Sequence, residues 1–144
     1  MEHIDKPLIS GWLSLTNAYT AVMNRLEGAL QEDHDLTLKE FYVLLFLSET
    51  SEKKLKLNQL QKMVGLSQSA MSRLVARFEA KGCGALQREI CQDDRRNIYT
   101  SITTIGEDKL QKAMQTCHSI IKTAITEKDI QEGLRALLLK PIKD

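Results

Sequence analysis

Between Leu57 and Thr104 a short helix, a glycine turn, a serine-rich amphipathic helix and a charged β-hairpin follow one another with no spare residues. That order is what a winged helix-turn-helix requires. Asn58 to Val64 sets Leu60, Met63 and Val64 at helical spacing, and Gly65-Leu66 interrupts it with a tight break. Ser67 is placed to cap a second helix by accepting a hydrogen bond from a free N–H of its first turn. Along that helix Ala70, Met71, Leu74, Val75 and Phe78 repeat as one apolar face, leaving Gln68, Ser69, Ser72, Arg73 and Arg77 outward. A solvated structural helix usually exposes Glu and Lys. Gln, Ser and Arg instead hydrogen-bond to base edges and phosphates, so this face predicts contact with duplex DNA.

The hairpin follows at once. Leu86, Arg88 and Ile90 alternate with Gln87 and Glu89, and Ile98, Thr100 and Ile102 alternate with Tyr99 and Ser101, on either side of a charged tip from Gln92 to Asn97. Two adjacent arginines on such a ribbon, Arg95 and Arg96, suit a minor groove or a pair of phosphates. A carboxylate beside them, Asp94, is able to hold an arginine by a bidentate pair.

Bulk composition leaves room for this reading and excludes others. The 144 residues are 42% hydrophobic and 27% charged, the balance of one globular domain with a sizeable core. No apolar run approaches the roughly 18 residues of a membrane span, and Met1 to Asp5 lacks a secretion signal, so a cytoplasmic protein away from membranes is expected. Net charge is only +1, but Lys53 to Arg96 holds ten Lys and Arg against four Asp and Glu, or +6, while the remainder holds ten against fifteen, or −5. The basic charge lies where the reading motif lies, which predicts affinity that falls steeply with salt.

Cys83, Cys91 and Cys117 form no close pair, so neither a disulfide framework nor a metal site is predicted, and no cofactor is implied. Cys117 and His118, neighbours on a helix, point about 100° apart and do not converge. No Ser/His/Asp set or phosphate loop is present, and His3, His34 and His118 are scattered; an enzyme is not expected. Two other readings stay open: a protein-interaction module that keeps the fold without DNA contacts, and a redox sensor using Cys91 or Cys83.

Long helices flank the motif. Leu8, Trp12, Leu15, Tyr19, Val22, Leu26 and Leu30 form one stripe, widened by Ile9, Leu13, Met23 and Ala29, with Pro7 in the first turn. Thr37-Leu38-Lys39-Glu40 has capping-box spacing ahead of a buried helix carrying Phe41, Val43, Leu44, Leu45 and Leu47. Thr104 and Glu107 are spaced as a second capping box before Leu110, Ala113, Met114, Cys117, Ile120, Ile121, Ala124 and Ile125. Thr126 and Asp129 allow a third before Ile130, Leu134, Leu137 and Leu138. The expected architecture is mainly α (α+β): a dimerisation helix over 1–34, a winged helix-turn-helix lobe over 35–104 and dimerisation helices over 105–144, intertwined as a single domain. The end stripes exceed what one small domain covers. A second copy of the chain is the simplest partner, because a two-fold homodimer presents its reading helices to half-sites about 10 base pairs apart, or a multiple of it.

Asp94-Arg95-Arg96, then Ile102-Thr103-Thr104-Ile105-Gly106, resembles the wing signature D-x-R and L-T-x-x-G of the multiple-antibiotic-resistance regulators, the MarR family of bacterial transcription factors. Ser67 to Leu74 resembles that family's recognition helix, and Leu36-Thr37 with Phe41 to Leu44 its second helix. The resemblance covers nearly the full length. It implies a homodimer joined by the first and last helices, commonly a repressor, released from a pseudo-palindromic operator by a small aromatic ligand or an oxidant. It implies Arg96 in the minor groove and Asp94 steadying the wing against Arg77 or Arg73, with Trp12, Tyr19 and Tyr42 as candidate ligand contacts. The chain departs from the family in two places. Gly82 to Ala85 carries two more residues than the usual turn into the wing, and the N-terminus lacks the cysteine of the oxidant-sensing members.

Overall fold

A computed structural model of the chain describes residues 3–79, 83–90 and 98–138. Its elements run α1 (Lys6–His34), α2 (Leu38–Glu49), β1 (Lys54–Lys56), α3 (Leu57–Val64), α4 (Gln68–Glu79), β2 (Leu86–Ile90), β3 (Ile98–Ile102), α5 (Thr104–Thr126) and α6 (Lys128–Leu138). The chain divides into two compact units, one of Met1–Ala29 with Gln115–Asp144 and one of Leu30–Met114. The winged helix-turn-helix lies in the second.

That second unit is built around α2. Leu38, Phe41, Val43, Leu44 and Leu47 are all buried, joined by Leu60 and Val64 of α3 and by Met71, Leu74, Val75 and Phe78 of α4. Thr37 and Glu40 close the expected capping box: Thr37 Oγ1 accepts from Glu40 N at 3.1 Å, and Glu40 Oε1 accepts from Thr37 N at 2.7 Å. The sheet has the order β1-β3-β2 and is antiparallel throughout, with Arg88 opposite Thr100 and Leu55 also opposite Thr100 across β3. Strand β1 is absent from the sequence reading, because three residues with two lysines carry too little alternation to register. Lysines on an edge strand suit it, since they discourage pairing with another chain.

The start of α5 differs from its expected cap. Thr103, one residue earlier than Thr104, accepts from Gly106 N at 3.1 Å and donates its hydroxyl to the Gly84 carbonyl. The carboxylate of Glu107 pairs with Lys53. Gly106 is required by space: a Cβ there would lie 2.3 Å from the Ala85 carbonyl oxygen and 2.8 Å from Ile102 Cγ1. Its place in the L-T-x-x-G pattern thus has a physical reason, the close passage of α5 over the base of the wing.

In the first unit the buried side chains include Leu26, Cys117 and Ala124. Arg25 and Glu127 pair at 2.7 Å, and a Cβ added to Gly133 would meet Ser14 at an ordinary contact of 3.6 Å. Thr126 does not cap α6 as its spacing predicts; its hydroxyl donates back to the Thr123 carbonyl and α6 begins at Lys128. Among the described residues no helix is long and apolar enough to cross a membrane.

Candidate nucleic-acid interface

The turn between α3 and α4 is made by Gly65, whose φ of 75° is left-handed and natural to glycine. Its N–H and that of Leu66 both donate to the Gln61 carbonyl, at 2.9 and 3.2 Å, ending α3 cleanly. Ser67 then caps α4 as the sequence predicts, its Oγ accepting from Ala70 N at 3.2 Å and lying 3.3 Å from Ser69 Oγ. Met71, Leu74, Val75 and Phe78 point into the core, which leaves Ser67, Gln68, Ser69, Ser72, Arg73 and Arg77 on the exposed side. All six candidate residues of this segment therefore share one solvent-facing surface. Arg73 has no partner among the described residues. Arg77 differs, with Nη1 at 2.9 Å from Glu40 Oε2 and Nη2 donating to the Asp35 carbonyl at 3.0 Å.

The wing strands β2 and β3 pair in register from Leu86 with Ile102 to Ile90 with Ile98. Leu86 and Ile102 are buried at the base, whereas Ile90 is exposed at the far end, so the ribbon projects from the unit. Arg88 of β2 pairs with Glu79 at the end of α4, tying ribbon to reading helix. The tip residues Asp94, Arg95 and Arg96 lie outside the described residues, as do Cys91 and Gly82.

The aromatic candidates fall in two different units. Trp12 and Tyr19 are 62% and 60% exposed in the first unit, while Tyr42 belongs to the second and sits beside Phe41 and Phe46, with ring centroids 6.0 and 6.3 Å away. A groove of about 660 Å³ along α1 is lined by Ser10, Gly11, Ser14 and Ala18 with Ile130 and Gly133, and by neither Trp12 nor Tyr19. Of the thiols, Cys83 is half-buried and Cys117 buried, and burial pushes the Cys117 thiol above its ordinary range, which disfavours the thiolate. Among the described residues no group of His, Cys, Asp and Glu is arranged to hold a metal.

Sequence reasoning missed the partner of Arg77. Glu40 is legible as a capping residue, but nothing local says that the same carboxylate also reaches α4, 37 positions on.

Residues 34–96 match the model of the MarR family. The fold matches the crystal structure of Sco3205, a MarR family transcriptional regulator from Streptomyces coelicolor in complex with DNA, with a TM-score of 0.78 and 22% identity over 96% of this chain and 88% of that one. AbsC, a MarR family transcriptional regulator from the same organism, gives 0.77 and 20% over 96% and 93%. BpsR of Bordetella bronchiseptica, whose DNA binding is regulated by 6-hydroxynicotinic acid, gives 0.67 and 19% over 87% and 92%. No curated protein sequence matches the chain. At these identities the structural likeness speaks for the fold, and the similarity to the family rests on the matched segment that holds α2, α3, α4 and β2. By that segment, set in a winged helix-turn-helix of matching architecture, the chain is similar to the MarR family of transcriptional regulators.

Proposed function

We propose that the protein is a cytoplasmic homodimer that binds a pseudo-palindromic operator and represses transcription. The observation that carries this is the two-sided character of α4: one side is sealed in the core, and the other offers Gln68, Ser69, Ser72 and Arg73 to solvent behind the Ser67 cap. Ser67, Gln68, Ser69 and Ser72 are the hydrogen-bonding set for base edges and nearby phosphates, and Arg73 is the phosphate cation. Asp94, Arg95 and Arg96 enter on sequence grounds alone, as the wing that reaches the minor groove.

The dimer is supported by α1, which leaves Leu8, Ile9, Trp12, Leu13 and Tyr19 at least half exposed, an apolar face that a second copy would cover. An aromatic acid is the effector class to try first, since such a ligand regulates BpsR. Exposure of Trp12 and Tyr19 favours the dimer face over a ligand pocket for those two residues.

Selection from random DNA tests the reading. Wild-type protein should enrich a palindrome, and Ser72→Ala or Gln68→Ala should change the preferred bases by about 1–3 kcal/mol at single positions. Equal loss on every sequence would exclude base reading by those side chains, and no enrichment at all would overturn the function.

A further inference from the structure

The first turn of α2 holds both helices of the reading motif. Lys39 Nζ donates to the Val64 carbonyl at the end of α3 at 2.8 Å. One residue on, Glu40 is 3% exposed, and its carboxylate meets Arg77 Nη1 through Oε1 at 3.1 Å and Oε2 at 2.9 Å. The other guanidinium nitrogen donates to the Asp35 carbonyl at 3.0 Å and lies 3.4 Å from the Asp35 carboxylate. Asp35 itself follows α1 with a left-handed φ of 52°. Arg77 is thus engaged by both sides of the corner between α1 and α2.

Helical spacing alone groups Arg77 with the duplex-facing residues. Energetics separates it from them. A phosphate that drew this guanidinium away from Glu40 would leave a buried carboxylate without its cation, and a buried ion deprived of its partner is strongly destabilising. Arg73, one turn earlier, is under no such constraint among the described residues. The planar fork of Arg77 also fits its present role, because it reaches a carboxylate and a carbonyl at once in fixed geometry.

We infer that Arg77 is a positioning residue which, through buried Glu40 and the Asp35 carbonyl, sets the attitude of α4 against the corner between α1 and α2 and makes no contact with DNA. This rests on the reading of α4 as the DNA-reading helix. Lys39 completes the arrangement from the α3 side, so the α2 first turn acts as a clamp on the whole motif.

The test uses four full-length proteins: wild type, Arg77→Met, Glu40→Gln and the double variant. Gln at position 40 still accepts from Thr37 N–H, so the α2 cap survives. On the duplex that wild type selects, each single variant should weaken binding, Arg77→Met the more because it strands buried Glu40, on the order of tenfold, and the double variant should lose less than the product of the two single losses. The slope of log affinity against log salt should stay at the wild-type value. A slope flattened by about one in Arg77→Met, with Glu40→Gln binding as wild type does, makes Arg77 a phosphate contact and overturns the inference. Additive losses overturn it equally.

Amide exchange of the free proteins separates this inference from the DNA reading. All three variants should speed exchange in α4, the double variant by less than the product of the two single factors, while α5 keeps its protection. Unchanged α4 protection in Arg77→Met, or acceleration spread evenly over the unit, refutes the clamp. A protein that ignores DNA yet shows the coupled acceleration of α4 overturns the proposed function and leaves the clamp standing.

Discussion

At the scale of single residues the wing sheet carries one polar defect. Thr100 is fully buried in the middle of β3, and its hydroxyl has no hydrogen-bond partner among the described residues. A buried unsatisfied hydroxyl costs on the order of 1–3 kcal/mol, and valine has nearly the same shape. Thr100→Val should therefore raise the unfolding free energy by about 1 kcal/mol, read as a higher urea midpoint at unchanged slope, without altering DNA affinity. A lower midpoint would mean that the hydroxyl is satisfied after all. Arg77 shows the converse case, a polar group on an exposed helix face whose partner lies inward.

Elements of the reading unit are fixed by their ends more than by their middles. Ser67 caps α4, Thr37 and Glu40 cap α2, and Thr103 closes the start of α5 against the Gly84 carbonyl. The junction between α5 and the wing has no room for adjustment, since the nearest obstacle to a side chain at Gly106 is backbone and not the end of a flexible chain. Gly106→Ala should cost about 1–3 kcal/mol in thermal unfolding by overpacking, and should weaken DNA binding through the displaced wing. A variant as stable as wild type would show that α5 shifts without resistance.

For the whole molecule the unequal distribution of apolar surface is decisive. The unit of Leu30–Met114 buries most of its large apolar side chains, whereas α1 exposes Trp12 by 62% and Leu13 by 55%. Trp12 is mostly exposed on the single chain, so Trp12→Glu should leave the fold intact while converting the proposed dimer to monomers in sedimentation velocity. Operator affinity should drop by at least about tenfold once two half-sites are no longer bound together. A variant that stays dimeric would place the subunit interface elsewhere. Loss of dimer with full affinity would remove symmetry from the mechanism.

Most of the fold was legible in the chain itself because it depends on local periodicity. The stripe Met71, Leu74, Val75 and Phe78, the Gly65 break and the Ser67 cap each sit within a few residues of what they determine. Capping spacing was less reliable at Thr104 and Thr126, where a neighbouring threonine or the end of the preceding helix competes for the same hydrogen bonds. Strand β1 escaped because a three-residue edge strand exists only through its pairing with β3. The side of α4 that faces solvent follows from sequence, but which of its arginines is free does not. That depends on Glu40 and Asp35, about forty positions away, and long-range ion pairs leave no periodic trace. Tertiary packing alone decides that Arg73 stays available while Arg77 holds the helix in place.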